Sequence, residues 1–581
     1  MVAHSLYYWF LTDDAYISFR YARNLAEGYG LVFNPGYERV EGYTDLLWVL
    51  LLAGAHAAGF AIERVAPLLS LAATVVLGSL VAGVAWVWTP AERRAWALLP
   101  LALLAATRSV AVWATSGLET RLFELLVFAG VLRLLAEDRR LCAGTARVAP
   151  GAALLFALAT LTRPDGLLIS GCALGAAALF RARRWRERLG WLASSAGLYA
   201  LAVGGQLLFR SSYYGEWLPN TYYAKVDGRL WWDAGLRYGA AFALEYGLVL
   251  WLPFLVAGVA HFARRGRALV PVLFLAVSVP HALYVMSIGG DHFEYRPFDL
   301  YFPFAYLLIG AGALELARSA RAAAGVWAAL ALVSGALVEL PLRSHQQFPQ
   351  VYLAGYPGLW ARMPGEIGGN FLDPDQTLLY RLPGLRAIAE EHRALLQSLT
   401  RQFIGIRQEE HALFLQGVAS EGRALAELVT QGRLPADAYV AVDCVGAIPY
   451  YSRLRTLDRL GLTDARVAHS SFVQPEIMAH GKYARFDEAR ARGVELWASD
   501  HVHLLLDVTQ PGFVEQVASL AQSRGELFLA RVDLRRYLVA RLPQGLERTN
   551  ARFPRLRFRS NLDPEALREL EQAAEAAGLA P

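Results

Sequence analysis

The sequence predicts a polytopic α-helical membrane protein with a C-terminal water-soluble domain of α/β or α+β type. Three observations carry that expectation. Hydrophobic residues make up 55% of the 581-residue chain and charged ones only 18%, with a mean hydropathy of +0.30, whereas an ordinary soluble domain is about a quarter charged. Apolar runs of bilayer length recur from about residue 46 to 341, while 342–581 is mixed and charged. The arginines fall in short clusters between the apolar runs, where they orient a membrane protein. The net charge of +5 and pI near 9.0 therefore do not call for a nucleic-acid partner.

About eleven apolar segments are expected, at 46–62, 67–88, 95–112, 118–136, 150–163, 166–180, 190–209, 246–262, 269–288, 300–317 and 324–341. Between them lie Arg93-Arg94, Arg139-Arg140 with Arg147, the cluster Arg181, Arg183, Arg184, Arg186 and Arg188, then Arg264, Arg265 and Arg267, and finally Arg318 and Arg321. By the positive-inside rule these are cytoplasmic loops. Counting crossings puts 113–120, 163–166, 210–245, 289–299 and the tail from 342 on the opposite face. The loop 12–45 joins them only if one early run fails to cross, and 46–62, the shorter, is expected to be re-entrant or interfacial. Residues 1–11 are too short to span a bilayer or to form a cleavable signal peptide, so a truncated first helix or an upstream start is expected. Cys142, Cys172 and Cys444 show neither a disulfide framework nor zinc-type spacing.

The unusual residues lie in the outer loops. The first reads Thr12-Asp13-Asp14-Ala15-Tyr16-Ile17-Ser18-Phe19-Arg20-Tyr21-Ala22-Arg23-Asn24 and continues to Glu41-Gly42-Tyr43-Thr44. Two adjacent carboxylates at a membrane border need a cation, a metal or a raised pKa. Arg20 and Arg23 share one face of a helix beginning near Asp14, and supply either charge pairing or a phosphate clamp; the plainer account is a helix cap. Glu119 stands at the outer end of a span, and Arg163 and Asp165 flank Pro164 in a tight turn. Asn220, Tyr223 and Lys225 belong to an aromatic stretch that suits either an interfacial belt or sugar recognition with an anionic linkage. Asp291, His292, Glu294 and Arg296 follow Gly289-Gly290; the first three could ligate a divalent cation, though their spacing is not diagnostic, and Lys225 and Arg296 lead as phosphate ligands. In the tail, 438–442 and 503–508 read as buried strands among helical patterns such as 386–416, with a turn at 446–452. His501 and His503 share one side of a strand but lack a third ligand.

The first-loop motif Asp13-Asp14-Ala15-Tyr16-Ile17-Ser18-Phe19-Arg20-Tyr21-Ala22-Arg23-Asn24, with Gly30-Leu31-Val32-Phe33-Asn34-Pro35-Gly36 and Val40-Glu41-Gly42-Tyr43-Thr44, closely resembles the mycobacterial terminal β-(1→2)-arabinofuranosyltransferases and their bacterial relatives, within the GT-C superfamily. Similar motifs recur in order at Ser116-Gly117-Leu118-Glu119-Thr120, Thr162-Arg163-Pro164-Asp165-Gly166, Leu218-Pro219-Asn220-Thr221-Tyr222-Tyr223-Ala224-Lys225, Gly289-Gly290-Asp291 and Gly446-Ala447-Ile448-Pro449-Tyr450-Tyr451-Ser452. The sequence departs from the pattern at Asp45, where Asn is expected.

The resemblance implies a GT-C region over 1–341, a C-terminal extracytoplasmic domain over 342–581, and inverting transfer of a sugar from a polyprenyl phosphate to a cell-envelope glycan or glycoconjugate. It also implies seating in the bacterial cytoplasmic membrane with the site facing outward. Asp13 aligns with the catalytic acid and is expected to be the base, with Asp14 orienting it or binding a cation. Arg20, Arg23, Lys225 and Arg296 are the candidate phosphate ligands. Glu41, Tyr43, Glu119, Arg163, Asp165, Asn220, Tyr223, Asp291 and His292 are the candidate substrate contacts. No nucleotide cofactor is expected, since neither a Walker motif nor a strand-linked glycine fingerprint is present. A lipid-linked-sugar flippase or a non-catalytic assembly protein is the alternative; a flippase calls for mid-membrane polar residues and repeated halves, and neither is seen.

Overall fold

The computed structural model describes residues 1–145, 148–180, 185–226, 228–319, 321–330, 383–400, 402–430, 432, 434–472, 478–484, 486–494, 496–498, 503–506 and 556–559. The expected domain boundary at 341/342, the end of the last apolar segment, Arg147, Arg181, Arg183, Arg184 and His501 lie outside these residues.

The described chain is mostly helical, and each expected apolar segment up to 317 contains helix. Among the described residues four helices are long and apolar enough to cross a membrane: Ile62–Trp88, Arg188–Tyr214, Leu269–Ser287 and Arg296–Leu316. A fifth crossing is available if Trp232–Glu245 and Leu248–Arg264, bent by 80°, act as one span. That bend falls at Gly247, whose φ of +57° is a left-handed conformation that ends the first helix. By these lengths and compositions the molecule is a multi-pass membrane protein.

Two expected spans are modified. The run 95–112 is not one helix: it breaks at Thr107, in extended backbone, between Leu99–Ala106 and Arg108–Val112. The break turns Arg108 inward to Glu294, 2.7 Å away, a pairing that burial makes necessary. The run 46–62 contains the helix Leu46–Ala57, about 18 Å long at 1.5 Å per residue and too short for a hydrocarbon core of about 30 Å. It packs beside the first-loop helix Ala15–Ala26, touching that loop at its start, where Ser18 donates to Asp45, and at its end, where His56 nears Glu27.

Four of the expected cytoplasmic arginines, from three loops, meet around the end of the helix Phe302–Leu316. Arg93 donates to the carbonyls of Leu314 and Ala317, and Arg264, Arg265 and Arg318 all pair with Glu315. The loops expected on the opposite face also meet one another, as the site geometry below details.

The C-terminal part holds a three-stranded parallel sheet in the order β2-β1-β3, from β1 (Tyr439–Val442), β2 (Arg455–Asp458) and β3 (Leu496–Ala498). Strands β4 (His503–Leu506) and β5 (Leu556–Arg559) pair antiparallel. The helical pattern 386–416 resolves into Pro383–Thr400 and Gln408–Thr430. The turn expected at 446–452 is instead a short helix, Ala447–Ser452, carried between two parallel strands. It belongs to the same hydrophobic core as the first-loop helix, so Tyr16, Phe19, Tyr450 and Ile448 pack together.

Candidate active site

The first-loop helix Ala15–Ala26 is buried on nearly every side because two different structures grip it. On one face lies the C-terminal sheet. Arg20, only 1% exposed, donates Nε to the Phe33 carbonyl (2.7 Å), Nη1 to Pro449 O (2.5 Å), and Nη2 to Asn34 Oδ1 (3.2 Å) and Leu454 O (2.9 Å). Burial lowers its pKa to about 9. Arg23 donates to the Tyr450 carbonyl at 2.6 Å and stacks on that residue's ring. Asn34 completes the seam by bonding both the N–H and the carbonyl of Thr456. This corrects the sequence expectation for Arg20, whose guanidinium is taken up by acceptors of the first loop and the tail rather than left for a phosphate; Arg23 gives one bond to the tail, and its buried Nε has no partner.

The two acids at the head of the helix are placed differently. Asp13 is 7% exposed, and its Oδ1 accepts the Ala447 N–H at 2.7 Å at the start of the short helix. Gly446 lies so close that a Cβ there would stand 2.5 Å from the carboxylate, which explains a glycine at this point. Asp14 occupies the N-cap position, yet its side chain makes no capping bond. It is partly exposed, and its charge raises the proton affinity of both His292 and His480 against the burial that lowers it.

Lys225, the exposed last residue of the helix Asn220–Lys225, acts on the same two imidazoles in the opposite sense. Asp291 accepts from Arg296 Nε at 2.9 Å, and the Arg296 guanidinium covers the Phe293 ring at 4.3 Å. Gly290, with φ of +99°, lets the chain pass the Tyr238 ring, which a Cβ would meet at 2.6 Å. The C-terminal part clasps the Asp291 loop: Gly405 N–H donates to Asp291 O, Ile406 N–H to His292 O, and Glu294 N–H to Ile406 O.

Behind this lies a second charged group. Arg163 pairs with Glu119 (2.9 Å) and Asp165 (3.0 Å), and Asp165 also meets His281. Burial opposes ionisation of Asp165, but Arg163 and His281 outweigh it and hold its carboxyl well below the usual range. Asp45, buried and bonded by Ser18, has its pKa raised by burial and by the Glu119 charge. The departure from Asn at position 45 thus places an acid where Glu119 is already near. Arg163 feels the Asp291 charge too, so the two groups adjoin.

The remaining candidates make contacts within the protein. Glu41 is buried in a bridge to Arg210, and its carbonyl accepts the Asn220 N–H. Tyr43 shares a hydroxyl contact with Tyr214 at 3.1 Å. Asn220 donates to the carbonyls of Gly461 and Leu462. Tyr223 donates to Glu216 and stacks on His469. These four join the first loop, the 210–225 segment and the tail through hydrogen bonds and an ion pair within the protein.

Sequence reasoning missed His411, His480 and Arg407. Arg407 bridges Glu245 (2.8 Å) and Glu294 (2.7 Å) in a buried network that includes Arg108. His480 faces His292 with ring centroids 5.4 Å apart. None lies in a motif, so no local signal could have found them. Among the described residues no three His, Cys, Asp or Glu side chains are arranged to hold a metal ion, and no step below is routed through one.

Residues 411–539 match a family model described as a domain of unknown function, DUF8728. The chain is 30% identical over 319 residues to the terminal β-(1→2)-arabinofuranosyltransferase of Corynebacterium glutamicum, covering 49% of this chain and 45% of that protein. It is 33% identical over 257 residues to the enzyme of that name from Mycobacterium tuberculosis, covering 42% of this chain and 39% of the relative. The chain spans under half the length of the curated relatives it matches. ArnT from Cupriavidus metallidurans, solved with undecaprenyl phosphate, superposes with a TM-score of 0.48 at 15% identity over 79% of this chain and 84% of that one. Its apo structure gives 0.45 at 15% identity over 78% and 82%. In sequence, then, the chain is similar to the terminal β-(1→2)-arabinofuranosyltransferases, as its first-loop motif indicates.

Proposed function

We propose that the chain is an inverting GT-C glycosyltransferase, moving a sugar from a polyprenyl-phosphate donor to a cell-envelope glycan or glycoconjugate on the outer face of the bacterial cytoplasmic membrane. In this reading 1–341 is embedded and 342–581 lies outside. The observation that carries it is the placing of Asp14, partly exposed and without a capping bond, where its charge and that of the exposed Lys225 both act on His292. The similarity to enzymes named as arabinofuranosyltransferases supports the same reaction class.

Inversion in one displacement needs a base for the acceptor hydroxyl. The acceptor oxygen bonds to the anomeric carbon as the bond from that carbon to the phosphate oxygen breaks, and the proton passes to the base. Asp14 takes this role in preference to Asp13. Asp13 is buried and its Oδ1 is already engaged by the Ala447 N–H, so it is less accessible to an acceptor hydroxyl than the partly exposed Asp14. Asp13 instead fixes the start of the loop helix against the C-terminal sheet. The leaving phosphate gains charge, and Lys225 and Arg296 supply cations where that charge develops. Lys225 is the stronger candidate, since Arg296 is already paired with Asp291. Transfer from a panel of polyprenyl-phosphate sugars to arabinan oligosaccharides, by purified protein in lipid, tests the reading; inactivity of the well-folded chain across the panel would refute it.

A further inference from the structure

We infer that His292 and His480 form a subsite that accepts hydrogen bonds from the hydroxyls of the acceptor sugar, so that the C-terminal part contributes directly to acceptor recognition. The inference rests on the transferase reading for its substrate and on the following geometry for its chemistry.

Three imidazoles from three separate segments come together. His292 follows the span Leu269–Ser287, His411 lies in the helix Gln408–Thr430, and His480 lies in the stretch 478–484. The ring of His292 stands 5.2 Å from that of His411 and 5.4 Å from that of His480. Each ring bonds a backbone carbonyl: His292 Nδ1 to Phe403 O at 2.7 Å, His480 Nδ1 to Met478 O at 3.0 Å, and His411 to Ile406 O. A carbonyl only accepts, so these nitrogens carry the protons. In a neutral ring the other nitrogen, Nε2, is then a pure acceptor.

Burial keeps the rings neutral, lowering all three pKa values, that of His480 to about 4. The Nε2 of His411, a residue 6% exposed, has no hydrogen-bond partner. His292 and His480 are themselves partly exposed. With the carboxylates of Asp14 and Asp291 nearby, the cluster is rich in acceptors, and Arg296 Nε is taken by Asp291. The ligand that complements such a surface brings O–H donors.

A phosphate would meet lone pairs and carboxylates here, and fits the Lys225 side better. A metal ion would need three converging ligands, which the described side chains do not provide. A sugar suits the wall as well: the partly exposed Phe403 ring lies 5.5 Å from that of His480 and offers a flat apolar face. Proximity to Asp14 selects the acceptor sugar, whose hydroxyl that carboxylate must reach. His480 is held by its own neighbours, since Lys482 donates to the carbonyls of Tyr223 and Ala468 and so ties this stretch to the helix bearing Lys225.

The test uses the full chain in lipid, with His480→Phe, which keeps a ring but removes the acceptor, and His480→Asn, which restores an acceptor. In His480→Phe the KM for a synthetic arabinofuranosyl oligosaccharide should rise roughly three- to tenfold, the worth of one hydrogen bond. The KM for the polyprenyl-phosphate sugar and the melting temperature should hold, and His480→Asn should recover part of the loss. A shift in donor KM instead, or no shift, overturns the inference while leaving the transferase reading intact. Calorimetric titration with the same oligosaccharide needs no turnover. Weaker binding to His480→Phe alongside an inactive wild type would sustain the subsite and sink the transferase. Stoichiometric binding of Mn²⁺ alone, lost in His480→Phe, would make the cluster a cation site and refute the sugar assignment.

Discussion

The helix Ala15–Ala26 and the acid at its N-terminus present two faces, both bearing charge, that serve different ends. On the face toward the C-terminal sheet, Tyr16, Arg20 and Arg23 reach Tyr451, Pro449, Leu454 and Tyr450, and the Arg20 bonds are all to acceptors within the protein. On the other face, Asp14 and Ser18 look toward His292 and Asp45. Sequence alone gives both faces the same look of a site. What separates them is the supply of partners: Arg20 is held by four bonds to acceptors within the protein, while the Asp14 side chain makes no capping bond and is partly exposed. Charge matched within the protein holds a fold, and charge left facing solvent at a junction of loops is available for chemistry.

Breaking the locked face should give the largest change in stability. Arg20→Ala removes four bonds and leaves buried carbonyls unmatched, a loss on the order of 4 kcal/mol at about 1 kcal/mol for each bond. Fluorescence-monitored melting in lipid should show it, and Arg20→Lys should recover little, because an ammonium cannot reproduce the planar fork. An unshifted melt with transfer abolished would return Arg20 to the phosphate role. Asn34→Ala, which frees both backbone groups of Thr456, should cost about 2 kcal/mol by the same melt, with transfer per folded molecule preserved.

On the open face the order of effects reverses. Lys225→Ala should leave the melting temperature in place and lower kcat by about 10- to 100-fold, as expected for one cation facing developing phosphate charge. A rise in acceptor KM with kcat intact would instead place Lys225 with the sugar. The smallest effect belongs to Tyr16→Phe, which removes one hydroxyl contact of 3.0 Å to Tyr451 and should cost no more than about 1 kcal/mol, with unchanged kinetics.

The apolar runs and arginine clusters made the helical membrane class legible, along with the meeting of the loops at 113–120, 163–166, 210–245 and 289–299 with the first loop. The short run at 46–62 was legible from its length. The break at Thr107 was not, because it depends on Arg108 finding Glu294, 186 residues away. The same distance effect hid the roles of Arg20 and Arg23, whose acceptors lie 427 to 434 residues on. His480 and His411 were invisible for a related reason: each bonds a carbonyl close in sequence, and only the fold brings their rings to His292. Asp13 and Asp14 were found together, but a motif treats neighbours alike, and burial and the Ala447 N–H tell them apart.

That distinction is the centre of the account, and one experiment reaches it directly: sugar transfer from polyprenyl phosphate by purified full-length protein in lipid, comparing wild type with Asp14→Asn and Asp13→Asn, with melting recorded on the same samples. Asp14→Asn should lower transfer by about 10²- to 10⁴-fold, the usual worth of a general base, at an unchanged melting temperature, while Asp13→Asn should melt earlier. Retained transfer in folded Asp14→Asn, with transfer lost in an Asp13→Asn that melts like wild type, would contradict the account and make Asp13 the base.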